Sequence, residues 1–118
     1  MKRCVQNGAV RIEGEVDRVY LDSSGPITLR DGARTLIISD GGGVKSTVVW
    51  NPGPEKARAI PDMDDDEWQN FVCIESGVIA DDAVTLGAGQ SYEMSVAIEL
   101  RTSTAASIPG EPGATLKV

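Results

Sequence analysis

Polar and apolar residues alternate along most of this chain, a pattern typical of β-strands that bury one face. The longest alternating stretch covers residues 91–101 and predicts a long, half-buried strand. The side chains predicted to point from it into the core are Tyr92, Met94, Val96, Ile98 and Leu100.

Seven shorter stretches have the same character, and Gly, Asp, Ser or Pro bounds each of them. They predict strands at residues 10–13, 15–21, 27–29, 35–38, 47–50, 71–75 and 83–86. Eight strands in a chain of this size are typical of an all-β fold, and we expect an antiparallel β-sandwich.

Turn residues separate these strands and predict hairpin connections at residues 22–26, 31–32, 40–43 and 87–89. The triple glycine at 41–43 is not followed by the Lys-Ser/Thr pair and helix of a phosphate-binding loop, so it is interpreted as a plain turn.

The alternation stops between residues 51 and 70. Pro-Gly-Pro at 52–54 ends a strand, residues 55–59 are compatible with a helical turn, and an acidic run at 62–67 predicts the start of a short helix near 64–70. The acidic run lacks the central glycine and the ligand spacing of a calcium-binding EF-hand loop. We therefore expect a crossover loop with one short helix and no metal site.

One folded domain is expected over residues 1–101, followed by a flexible tail at 102–118 that is rich in Ser, Thr, Ala, Gly and Pro.

The charge balance restricts the partners. With 18 acidic and 11 basic side chains the net charge is −7, which disfavours nucleic acid and anionic membranes. No apolar run approaches the length of a membrane-spanning helix, so a soluble, cytoplasmic protein is predicted. Cys4 and Cys73 match no metal-ligand spacing and are expected to be free thiols.

The sequence contains no histidine. This excludes the commonest general acid and base near neutral pH and every nucleophile that depends on an imidazole. No cofactor is predicted either.

Three charged side chains are candidates for chemistry. Asp17 and Arg18 interrupt an apolar strand and face opposite ways by alternation, so that one of them points with its apolar neighbours. An ion pair or an edge-strand charge is the alternative interpretation for this pair. Glu75 ends a strand just before a turn, where burial would raise the pKa of its carboxyl toward that of a general base.

Five strings in order along the chain carry a resemblance to a known family. They are Gly-Glu-Val-Asp-Arg-Val-Tyr at 14–20, Ser-Thr-Val-Val-Trp-Asn-Pro at 46–52, Glu-Lys-Ala at 55–57, Asp-Asp-Glu-Trp at 65–68 and Val-Cys-Ile-Glu at 72–75. Over residues 5–101 the chain resembles the C-terminal part of the hexose-6-phosphate mutarotases, or glucose-6-phosphate 1-epimerases, of the aldose 1-epimerase superfamily.

The resemblance implies a partial galactose mutarotase-like sandwich in which Glu75 is the general base that removes the proton of the anomeric hydroxyl. It implies that Asp17 binds a sugar hydroxyl, and it makes Arg18 and Asn51, in the matching strings, further candidate substrate ligands. In the family a histidine from the N-terminal part protonates the ring oxygen, and that part and its phosphate-binding arginines have no counterpart here. Two local departures are Gly53, where the family tends to carry an aromatic residue, and residues 76–79, which replace Ala-Ala-Asn-Val.

Two functions remain open at this point. The chain is either an impaired or inactive part of a mutarotase that recognises a hexose or hexose phosphate, or a non-catalytic, self-associating β-module with carbohydrate affinity. A third arrangement, in which a separate chain supplies the missing acid, is compatible with the same residues. Because a partial sandwich exposes sheet edges and apolar faces, a homo-oligomer is expected in either case.

Overall fold

The protein consists mainly of two antiparallel β-sheets. The structure is a computed structural model and describes residues 2–23, 25–102 and 115–117. The strands are β1 (Val10–Arg11), β2 (Val16–Leu21), β3 (Ile27–Asp31), β4 (Arg34–Gly42), β5 (Ser46–Asn51), β6 (Cys73–Gly77), β7 (Ser95–Thr102) and β8 (Thr115–Lys117). One sheet has the order β1-β8-β3-β4-β7, and the other has the order β2-β5-β6.

The core lies between the two sheets. Val10 and Ile27 of the five-stranded sheet cluster with Val16 and Val49 of the three-stranded sheet, and all four are buried. Burial of these β-branched side chains from alternate positions is what the period-2 pattern predicts. The predicted all-β, antiparallel sandwich is confirmed.

Seven of the eight predicted strands have a counterpart in the structure, although the longest, predicted from residue 91, begins at Ser95. Residues 83–86 form no strand, and they pair with no other segment that the structure describes. Four alternating residues carry too little information to separate a strand from an extended loop, and only Val84 of the four is even half-buried.

Of the four predicted hairpin turns, the structure forms the one at residues 31–32. Residues 87–89 do turn, with the N–H of Gln90 bonded to the carbonyl of Gly87, but the segment before them is not a strand, so they form no hairpin. Asp31 and Arg34 close the β3–β4 hairpin, with Gly32 at a φ of 56° in the left-handed region that glycine tolerates. The triple glycine, expected as a hairpin turn, instead forms the bulged end of β4, where the register with β7 shifts between Asp40 and Gly42. The chain then crosses to the other sheet, as it also does between β2 and β3.

The crossover loop contains more helix than expected. An α-helix, α1, covers Gly53–Ala59, and a 3-10 helix covers Glu67–Asn70 within the predicted helical stretch. Trp50 and Trp68 are half-buried, and the Trp50 ring lies 6.1 Å from that of Phe71.

The expected burial of the β7 side chains is wrong for this chain. Val96, Ile98 and Leu100 are exposed, as are Tyr92 and Met94 before the strand. The strand order accounts for this, because β7 is an edge strand of the five-stranded sheet and is separated by β4 from β3, which carries the buried core residue Ile27. The alternation identified the shared face correctly but carried no information about whether anything covers it.

The predicted tail lies mostly outside the described residues. Only Thr102 and residues 115–117 of it are described, and the latter pair with β1 and β3. No helix in the described residues has the length and apolarity needed to cross a bilayer.

A candidate active-site face

The outer face of the three-stranded sheet carries two of the candidate residues. Because directly paired residues in an antiparallel sheet point to the same side, the register defines this face completely. It is called the open face below and consists of Asp17, Val19, Leu21, Ser46, Val48, Trp50, Cys73, Glu75 and Gly77.

Asp17 and Glu75 stand on the two outer strands of the open face. Asp17 is in one cross-strand row with Trp50 and Cys73, while Glu75 is in the next row with Val48. Two strand spacings and a two-residue offset separate their Cα atoms by about 12 Å. Two exposed carboxylates thus flank an apolar strip, an arrangement that can hold a polyhydroxylated ring between two hydrogen-bond acceptors.

The surroundings of Glu75 differ from those expected. The residue is exposed rather than buried. It borders a depression of about 90 Å³ that is also lined by Ser46, Val48, Ser76, Gly77 and Ile79. Ligand pockets for small molecules measure roughly 300–1,000 Å³, so this depression is too small to enclose a hexose.

Arg18 points away from the open face. Its partner in the register is Val49, a core residue, and its Nη1 donates a hydrogen bond of 2.8 Å to Oε1 of Gln6. Asp17, by contrast, points with Val19 and Leu21. The alternation correctly predicted that Asp17 and Arg18 point to opposite faces of the sheet. Arg18 therefore shares no surface with Glu75, and its role as a substrate ligand stays a prediction.

Asn51 is completely buried and organises the crossover loop. Its Nδ2 donates to the backbone oxygens of Trp68 and Phe71, both at 2.8 Å, and its Oδ1 accepts from the N–H of Gly53 at 2.9 Å. These bonds explain why an asparagine follows Trp50 at the end of β5: one amide satisfies three backbone groups of a loop that has few of its own. Contact with a sugar would require some of them to break, so its role as a ligand also stays a prediction.

A hydrogen-bond network that the sequence analysis missed fixes the end of the sheet beside Glu75. Ser46 is buried and donates to Oδ2 of Asp82 at 2.8 Å, and the N–H of Asp22 donates to the same oxygen at 3.2 Å. Asp22 and Ala80 both adopt left-handed backbone conformations, with φ of 54° and 51°. No local pattern reveals this network, because its members come from three separate parts of the chain.

The pKa of Cys73 depends on the nearby carboxylate of Glu75. The pKa of the Cys73 thiol is raised, first by burial and then by the negative charge of Glu75. Cys4 is an exposed free cysteine and serves as an internal reference.

Alkylation should therefore distinguish the two thiols. We expect Cys73 to react with iodoacetamide several-fold more slowly than Cys4 near pH 8, because the thiolate is the nucleophile and a raised pKa reduces its fraction. Glu75→Gln should move the pH profile of Cys73 alkylation toward lower pH, while Glu93→Gln leaves it unchanged. Peptide mass spectrometry measures both rates, and an unmoved Cys73 profile in Glu75→Gln would contradict the placement of Glu75 beside Cys73.

The described residues contain no group of three or more His, Cys, Asp or Glu side chains with the geometry of a metal site. The acidic run of the crossover loop instead surrounds the start of the 3-10 helix, where the N–H of Glu67 bonds to the carbonyl of Asp64.

Comparison with known proteins identifies the class. The sequence profile of the aldose 1-epimerase family matches residues 3–99, so the chain belongs to this family, whose fold is a β-sandwich. No solved structure shows significant similarity to the chain.

The curated relatives are longer proteins. A protein of Cenchrus ciliaris named "Putative glucose-6-phosphate 1-epimerase" is 33% identical over 95 residues, which cover 79% of this chain and 28% of the relative. One of the same name from Escherichia coli K12 is 37% identical over 71 residues, covering 59% of this chain and 24% of the relative. The matched region thus spans about a quarter of the length of these relatives.

Proposed function

We propose that this chain forms the part of a hexose-6-phosphate mutarotase that carries the general base, with Glu75 in that role and Asp17 as a ligand for a sugar hydroxyl. Support comes from membership of the aldose 1-epimerase family and from relatives named for activity on glucose 6-phosphate. The single observation that carries the proposal is the position of both carboxylates on one open face of the three-stranded sheet.

The proposed chemistry begins at the anomeric hydroxyl. The carboxylate of Glu75 takes its proton while the bond from the anomeric carbon to the ring oxygen breaks, and the ring oxygen must gain a proton as the ring opens. Rotation about the bond to the carbonyl carbon and reclosure then give the other anomer. Asp17, on the far side of Trp50 and Val48, accepts a hydrogen bond from another hydroxyl and fixes the ring relative to Glu75.

The chain lacks a side chain well suited to donate the proton that the ring oxygen must gain. The sequence contains no histidine, the side chain that most often serves as a general acid near neutral pH. A positioned acid contributes about 10²- to 10⁴-fold in rate. The chain alone is therefore expected to be an impaired catalyst.

Exchange between the anomers of glucose 6-phosphate tests this proposal. We expect the purified chain to accelerate exchange only marginally above buffer, measured by two-dimensional exchange NMR. A strong acceleration that Glu75→Gln abolishes would contradict the expected impairment and would require another acid in the chain.

Binding is measured separately from turnover. Titration with glucose 6-phosphate should shift the NMR signals of open-face residues on β2, β5 and β6, and Asp17→Asn should weaken the response while Asp40→Asn leaves it unchanged. Failure of every open-face signal to respond would reject the sugar site itself.

We further propose a cytoplasmic location, in keeping with two unpaired cysteines.

The non-catalytic alternative is a self-associating β-module. The observation that favours it is the exposed apolar side of β7.

A further inference from the structure

The middle strand of the open face, β5, carries an aromatic side chain at the centre of that face. Trp50 pairs directly with Asp17 of β2 on one side and with Cys73 of β6 on the other. Directly paired side chains have Cβ atoms about 4.5–5.5 Å apart, and a residue two positions further along the neighbouring strand is about 7–8 Å away, within reach of an aromatic ring. Glu75 occupies that diagonal position, so Trp50 lies between the two carboxylates of the proposed sugar site.

The ring of Trp50 is supported by a second aromatic residue. The ring of Phe71 packs against it with 6.1 Å between the centroids and an interplanar angle of 40°. The backbone of Phe71 is fixed in turn, because its carbonyl accepts a hydrogen bond of 2.8 Å from the buried amide of Asn51. Phe71 precedes Cys73 by two residues and Glu75 follows it by two, so Phe71 and Glu75 flank Trp50 from opposite directions along the chain.

The surface between the carboxylates is apolar and accessible. Trp50 is half-buried, as is Val48, its neighbour on the same face of β5, which pairs with Glu75. An apolar floor with a carboxylate at either end matches a ligand that has hydrogen-bond donors around its rim and C–H bonds on its flat sides. A pyranose is such a ligand, because its hydroxyls project outward and its axial C–H bonds cover the faces of the ring.

We infer that Trp50 is the stacking platform of the sugar site, with the indole against the C–H face of a pyranose whose hydroxyls reach Asp17 and Glu75. The face of an aromatic ring is negative and attracts the weakly positive C–H groups in addition to the gain from covering apolar surface. Stacking also fixes the plane of the sugar, so that the carboxylate of Glu75 meets the hydroxyl of one carbon atom. This inference rests on the proposed function and restricts its substrates to rings, since an open-chain sugar phosphate has similar hydroxyls but no flat C–H face.

Fluorescence tests the contact directly, because the chain contains two tryptophans and each can be observed alone. Trp68 lies in the 3-10 helix Glu67–Asn70, outside the open face. In Trp68→Phe we expect glucose 6-phosphate to change the emission of Trp50 in a saturable manner. In Trp50→Phe the same titration should leave the emission of Trp68 unchanged. Sorbitol 6-phosphate, an open-chain polyol with the same phosphate, should change neither.

Affinities from the NMR titration separate an aromatic contact from a merely apolar one. Trp50→Leu should weaken binding of glucose 6-phosphate about 10-fold, the size of an aromatic contact. Trp50→Phe keeps an aromatic face and should weaken binding no more than about 3-fold. Trp68→Leu is the matched control: it removes another half-buried indole, from outside the face, and should leave the affinity unchanged. Far-UV circular dichroism verifies that all three variants fold.

The results distinguish failure of the platform from failure of the site. A response of the open-face NMR signals with constant emission from Trp50, or with full affinity in Trp50→Leu, would overturn the platform and leave the proposed function standing. Equal losses of affinity in Trp50→Leu and Trp50→Phe would also overturn it, because an aromatic face would then have no effect. An equal response to sorbitol 6-phosphate would overturn the restriction to rings. If no open-face signal of the parent chain responds to glucose 6-phosphate, the sugar site and its platform are both rejected.

Discussion

Gly53→Ala is expected to destabilise the protein by about 3 kcal/mol, a large part of the 5–15 kcal/mol that stabilises a typical domain. Gly53 begins α1 with a φ of +66°, a conformation that costs an L-residue about 1 kcal/mol. A Cβ atom here would also collide with the backbone N of Glu15 and approach its Cα to 2.9 Å. Backbone atoms of the neighbouring segment cannot move aside as a flexible side chain can, so overpacking adds about 2 kcal/mol.

Gly89→Ala separates the two contributions. Gly89 has a similar φ of +75°, but a Cβ atom there would meet nothing within 4 Å. We expect it to cost only the conformational term, about 1 kcal/mol. Urea denaturation of both variants measures the difference, and equal losses would show that the approach of Gly53 to Glu15 has no energetic weight.

Asn51→Ala should be about as severe, with a loss near 3 kcal/mol. The substitution leaves the N–H of Gly53 and the backbone oxygens of Trp68 and Phe71 without their partner. A buried polar group without a partner costs about 1–3 kcal/mol, and partial access of water to the two carbonyls keeps the sum near the lower end. The shift in the urea midpoint is the measurement.

Two variants identify the cause. Asn70→Ala removes the same amide from an exposed position at the end of the crossover loop and should be nearly neutral. Asn51→Asp keeps the shape and the acceptor for Gly53 but places a carboxylate oxygen against two carbonyls, so it should destabilise at least as much as alanine. A well-tolerated aspartate would mean that the two carbonyl contacts contribute little.

The sequence predicted the layered class of the fold because its strong signals are local. Strand β2 was expected at residues 15–21 and is found at Val16–Leu21, since alternation and the flanking turn residues lie within the strand itself. Strand β4 extends four residues beyond its predicted end at Ile38 because β7 continues to pair with it through the bulge near Asp40. Pairing of this kind depends on a partner some 60 positions away and leaves little trace in the strand's own pattern.

The candidate site was predictable only in part for a related reason. Alternation alone placed Asp17 and Arg18 on opposite faces, and the register of β2, β5 and β6 was needed to bring Asp17 and Glu75 to one side. The bond between Ser46 and Asp82 has no sequence signal, and the resemblance that marked Asn51 as a candidate ligand did not reveal that its amide is occupied by the loop. Gly53 stands where resembling proteins tend to carry an aromatic residue, and its close approach to Glu15 shows that this backbone has room for no side chain there.

The strand order of the five-stranded sheet has a consequence for the rate at which the protein folds. Ile38 of β4 pairs with Ile98 of β7, and Val10 of β1 pairs with Leu116 of β8, so these contacts close long loops before they gain any pairing energy. The β3–β4 hairpin, in contrast, closes around a two-residue turn. Topologies dominated by such distant pairings fold in milliseconds to seconds. During that interval the β3–β4 hairpin has formed while its apolar face still lacks the strands that pair with it later. This exposed face favours aggregation, so the yield of refolding should fall as the protein concentration rises.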